Sequence, residues 1–161
     1  MYDFRGFGKS DGKIRSEREM QRDAKRLYEI VIQEYTNQRI IVYGFSIGTG
    51  IASRLAMNQT PDLLILEAPY YNFISLVNYH KSYLPGRLIS KYNFRTNRYV
   101  KNMTCPIVVF HGTADKKVPY YLGERLIGTN PKLEFVSVEG ATHNEMQSME
   151  VFQEKMKAIL A

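Results

Sequence analysis

Three side chains in this 161-residue chain could together activate an oxygen nucleophile: Ser46, Asp115 and His143. Ser46 is the centre of Gly44-Phe45-Ser46-Ile47-Gly48, which falls between the apolar run RIIVYG and the helix-like SIGTGIASRLAMNQ. A serine on a sharp strand-to-helix turn exposes its hydroxyl, and so tight a turn asks for residues without bulk on either side, hence Gly44 and Gly48. At the helix start the backbone N–H of Ile47, aided by the helix dipole, would face a developing oxyanion. A serine hydroxyl is a weak nucleophile without a base, and the base needs an orienting acid. Asp115 in HGTADKKVP and His143 in VEGATHNE each lie just beyond an apolar run and can fill those roles.

Other residues of similar chemistry read differently. Gly8-Lys9-Ser10 mimics the end of a phosphate-binding loop, but that motif needs a glycine where Asp3 stands and a helix where the chain continues Asp11-Gly12-Lys13. His111 sits at a strand end before Gly112, and His80 reads as a surface or packing histidine. Glu67, closing LLILE, is the alternative candidate for the acid, ranked behind Asp115. Cys105 precedes an apolar run as a small core residue; a single cysteine makes no internal disulfide and fits a reducing compartment.

The elements that must position these groups alternate. SEREMQRDAKRLYEIVIQEY opens with Ser16 and Glu19 in capping-box relation, and Met20, Ala24, Leu27, Val31 and Tyr35 recur at helical spacing. RIIVYG, DLLILEAP, PIVVFHG and KLEFVSVEG read as strands. VPYYLGERLIG reads as a helix, with Pro119 in its first turn and Gly128 as its stop. A last helix from Ser148 turns Phe152, Met156 and Leu160 inward. Apolar strands separated by helices imply an α/β fold with a mostly parallel sheet covered on both faces. In such a sheet the strand C-termini share one rim, where Ser46, Asp115 and His143 would meet. Residues 71–104, rich in Tyr and Asn, read as an excursion forming a short cap within a single domain spanning 1–161.

The order Ser, Asp, His and the segments YDFRGFGKSDG, GFSIGTG, HGTADKKVP and GATHNE resemble the α/β-hydrolase-fold serine hydrolases. Their forms are most similar to the small-cap esterase and thioesterase branch that includes protein depalmitoylases and bacterial relatives. The resemblance implies Ser46 as nucleophile, His143 as base and acid, Asp115 as its partner, and Ile47 as one oxyanion donor. It also implies three strands, a helix and a second oxyanion donor ahead of Met1, so the chain reads as lacking the first three strands, with impaired activity. Residues 40–43 would then form an open sheet edge favouring self-association unless Met1–Phe4 covers it.

The expected reaction is hydrolysis of a carboxylic ester or thioester of a small or acylated substrate, with no cofactor or metal. Two alternatives stand beside it: a non-catalytic hydrolase-fold remnant or binding domain, and a peptidase of the same fold. A net charge of +6 is spread in singles and pairs, which argues against a nucleic-acid partner. No membrane-spanning run or signal pattern is present, and the expected location is cytoplasmic; an anchor ahead of Met1 would not be visible.

Overall fold

A computed structural model describes residues 5, 6, 8–81 and 92–161. Six helices and four strands order the described chain: α1 (Glu17–Glu34), β1 (Ile41–Phe45), α2 (Gly48–Gln59), β2 (Leu63–Glu67), α3 (Phe73–His80), α4 (Thr96–Lys101), β3 (Ile107–Gly112), α5 (Tyr120–Glu124), β4 (Leu133–Val138) and α6 (Glu150–Leu160). A 3-10 turn, Met146–Ser148, precedes α6.

The strands form one parallel sheet in the order β1-β2-β3-β4. β2 and β3 are buried along their whole length, as uninterrupted apolar runs require when both faces are covered. One face packs Val42, Leu64, Leu66, Ile107 and Val109 against Tyr28, Ala52 and Val100. The other packs Leu63, Ile65, Val108 and Phe110 against Met146 and Phe152. Each such side chain contributes about 1.5–3 kcal/mol on leaving water.

α1 starts where the capping box places it: the Ser16 hydroxyl accepts the Glu19 N–H at 3.2 Å, and the Glu19 carboxylate accepts from Arg15 N. Its inward row is Met20, Ala24 and Tyr28, with Leu27 and Val31 partly covered. Tyr35, expected inward, lies past the last helical residue and is 53% exposed. At the other end of the chain Leu160 is exposed, and Ile159 packs on the sheet with Met156 in its place. Both departures come from helix ends, where the 3.6-residue period no longer finds a surface to meet. Pro119 sits just before α5 with an extended ψ of 133°, rather than within its first turn.

Within residues 71–104 the described parts contain α3 and α4 joined by irregular chain, and no strand occurs there among them. Residues 82–91, and the strand expected at Met1–Phe4, lie outside the described residues. The two ends of the excursion are tied together by Phe73 N to Phe94 O and Asn97 N to Tyr71 O, each 2.9 Å. Among the described residues β1 is paired on one side only, to β2. No described helix is long and apolar enough to cross a membrane.

Candidate active site

β1 ends at Phe45, and the chain reaches α2 through Ser46 and Ile47. Ser46 takes a φ of +51°, in the left-handed region that non-glycine residues avoid. The surroundings impose this conformation. Its N–H donates to the Glu67 carbonyl at 2.9 Å, and its own carbonyl accepts from Thr49 N at 3.0 Å and Thr49 Oγ1 at 2.6 Å. The serine is left half-buried, with its side chain at the head of a 12-residue helix.

The two flanking glycines differ. A Cβ on Gly44 would lie 2.7 Å from the Ala52 Cβ and 3.0 Å from the Thr49 Cα, so the close seating of α2 on β1 demands glycine there. A Cβ on Gly48 would meet nothing within 4 Å. The expectation that both positions exclude bulk therefore holds at Gly44 and fails at Gly48, because the helix has already turned away from the strand. Two residues further into α2, Gly50 is tight as well, since a Cβ there would run into the Tyr70 hydroxyl and Phe94.

Asp115 follows β3 and His143 follows β4, so the parallel sheet delivers both to the rim that holds Ser46. His143 Nδ1 lies 2.6 Å from Asp115 Oδ2, with both residues buried. The second carboxylate oxygen, Oδ1, accepts the N–H groups of Lys117 (2.8 Å) and Val118 (2.9 Å). This leaves the acid fully occupied and aimed. Such a bond fixes the imidazole with Nδ1 protonated and Nε2 free to accept a proton. The imidazole also packs 4.9 Å, centroid to centroid, from the ring of Phe45, the residue before Ser46. Ser46 Oγ itself makes no hydrogen bond to the imidazole. Ile47, expected to supply an oxyanion donor, occupies the N-cap of α2, and the first N–H groups of a helix have no partner within it.

Glu67 does not replace Asp115. It is 1% exposed, and its Oε2 accepts from the Tyr43 hydroxyl and from Gln147 Nε2 at 2.9 Å. Burial pushes its carboxyl up from the ordinary range, opposed by the Gln147 bond and by His143. The sequence reading missed Tyr43 and Gln147. The signal for them was a carboxyl closing a wholly apolar strand, which must find donors; nothing in sequence says which. His111 is fully buried with Nε2 bonded to the Val118 carbonyl at 2.8 Å, and burial lowers its pKa. His80 is exposed, with Nε2 2.8 Å from the Lys117 carbonyl. Cys105 is buried, and burial pushes its thiol up, which suits packing.

Known proteins share this architecture. The Hydrolase_4 family profile, described as serine aminopeptidase, S33, matches residues 1–96. The lysophosphatidylserine lipase ABHD12 of Danio rerio is 32% identical over 78% of this chain and 37% of its own length. The chain thus spans little more than a third of that curated relative. An alpha-beta serine hydrolase homologue from Coxiella burnetii superposes with a TM-score of 0.74 at 25% identity, covering 99% of this chain and 67% of that one. The ferulic-acid complex of Est1E from Butyrivibrio proteoclasticus, at 16% identity, gives a TM-score of 0.75 over 99% of this chain and 76% of its own, a likeness of fold.

Proposed function

This chain belongs to the Hydrolase_4 family (serine aminopeptidase, S33) and has the α/β-hydrolase fold; we propose that it is a serine hydrolase of carboxylic esters or thioesters, acting through Ser46, His143 and Asp115. The observation that carries this reading is the buried His143–Asp115 hydrogen bond, at the rim where Ser46 is held in a left-handed turn. In this reading Ser46 Oγ attacks the carbonyl carbon while His143 Nε2 takes its proton. Asp115 keeps the tautomer and stabilises the imidazolium, and the oxyanion rests on the Ile47 N–H. His143 returns the proton to the leaving group, and water, activated by the same imidazole, releases the acyl group from Ser46.

The lipase named among the relatives supports an acyl ester over a peptide bond, and lysophospholipid esters join thioesters as substrates to try. Ile47 is the oxyanion donor this reading assigns, and loss of one such donor costs on the order of 10²–10³ in turnover.

The test is a panel of p-nitrophenyl esters, acyl thioesters, a lysophospholipid and aminoacyl amides, given to wild type and Ser46→Ala. Ester or thioester cleavage abolished by the substitution supports the proposal. Cleavage of the amides alone assigns the peptidase reading, and no cleavage by either protein assigns the non-catalytic one.

A further inference from the structure

Tyr43 and Phe45 point to the same face of β1, two residues apart, and Phe45 stands opposite Glu67 on β2. On that face Tyr43 and Phe45 remain partly exposed, while the segment running from His143 to the 3-10 turn, which carries Gln147, reaches over Glu67. The Glu67 carboxyl thus sits under the histidine-bearing segment with donors from two sides: the Tyr43 phenol from the edge strand and the Gln147 amide from the segment itself. Its main chain works in parallel, since the Glu67 carbonyl accepts the Ser46 N–H. One residue therefore touches the serine turn through its backbone and the histidine segment through its side chain.

Resting on the hydrolase reading above, we propose that Glu67 is a positioning residue, an acceptor bracket that joins Tyr43 and Gln147 and so holds His143 in register with Ser46. The carboxyl touches neither Ser46 Oγ nor His143 Nδ1, whose partner is Asp115, so its action runs through Gln147. The segment is also anchored by Met146, fully buried among Ile65, Phe110 and Phe152, and by Lys117 Nζ, which donates to Asn144 Oδ1 at 3.3 Å. Met146 fixes depth, because apolar packing is non-directional. The Gln147–Glu67 bond fixes rotation, because a hydrogen bond is directional.

What the bracket requires is an oxygen accepting two bonds, which an amide supplies as well as a carboxylate. Glu67→Gln should therefore preserve function where Glu67→Ala and Gln147→Ala do not. Gln147 is exposed, so its replacement leaves the fold intact even if Glu67→Ala unfolds the chain. A displacement of about 1 Å in a reacting group costs on the order of 10² in rate, so partial loosening is expected to lower kcat about 10-fold or more with KM little moved. Glu67→Gln should stay within about threefold of wild type, since the acceptor remains.

A second readout needs no turnover: the proton NMR signal of the His143 Nδ1–H held by Asp115. It should be sharp in wild type and Glu67→Gln, and broadened or lost in Gln147→Ala. That result in a protein without activity would leave the bracket standing while the hydrolase reading fell. Wild-type kcat and a wild-type Nδ1–H signal in Gln147→Ala would overturn the bracket. So would a Glu67→Gln protein as impaired as Glu67→Ala, which would assign the role to charge.

Discussion

Asp115, in the loop after β3, and Glu67, at the end of β2, are both buried acids packed around one histidine segment, and they are held in different ways. Asp115 has its Oδ1 pinned by two backbone N–H groups and its Oδ2 on the imidazole. Backbone donors belong to the main chain and cannot rotate away, so they keep the acid they hold aimed at the imidazole. Glu67 has two side-chain partners on one oxygen and, among the described residues, no cation bonded to it. Its burial favours the neutral form. The contrast teaches that burial alone does not assign a carboxyl its part: at Asp115 the charge faces the imidazole, at Glu67 the acceptor geometry serves.

The sharpest way to break this contrast is to remove charge and keep shape at both positions. Asp115→Asn should lower kcat/KM by about 10⁴, because an amide favours the wrong imidazole tautomer. Glu67→Gln, by comparison, should leave ester hydrolysis nearly intact. Steady-state kinetics on the same ester decide it, and equal losses at the two sites would erase the distinction.

A smaller effect is expected in stability. Because the folded Glu67 carboxyl titrates higher than the unfolded one, the folded state holds a proton that the unfolded chain has already lost. Its favourable contribution is complete below the ordinary value near 4.5 and disappears as pH rises through the folded value. Glu67→Gln carries no such penalty. Its melting temperature relative to wild type should therefore climb between pH 4.5 and pH 7.5. A relative melting temperature that falls over that interval would mean the carboxylate is stabilised where it sits.

The two glycines of the serine turn sharpen the same lesson at the level of packing. Gly44→Ala forces a methyl onto Ala52 and Thr49 and should cost about 1–3 kcal/mol, the usual range for overpacking. Gly48→Ala enters open space at the first position of α2 and should change stability by less than about 1 kcal/mol, in the stabilising direction. Chemical denaturation of both variants measures the difference.

Much of the rim was legible because parallel-sheet topology converts sequence pattern into position. Ser46 sits between an apolar strand and a helix, and Asp115 and His143 each follow an apolar strand, so their meeting place follows from strand direction alone. What stayed hidden depends on side-chain reach. Gln147 lies 80 residues from Glu67 in a 3-10 turn too short for any periodic signal, and Tyr43 reads as an ordinary strand residue. The open space at Gly48 and the outward ends Tyr35 and Leu160 depend on where a helix parts from its neighbours. A sequence period shows a face, not the point where the facing surface stops.

The central claim is that Ser46 is a nucleophile served by His143 and Asp115, and covalent capture tests it most directly. Incubation with a fluorophosphonate followed by peptide mass spectrometry should find one phosphonylated residue, Ser46, with labelling absent in Ser46→Ala and strongly slowed in His143→Ala. A Ser46 left unmodified by the folded protein, or labelling that persists at an unaltered rate in His143→Ala, would contradict the account.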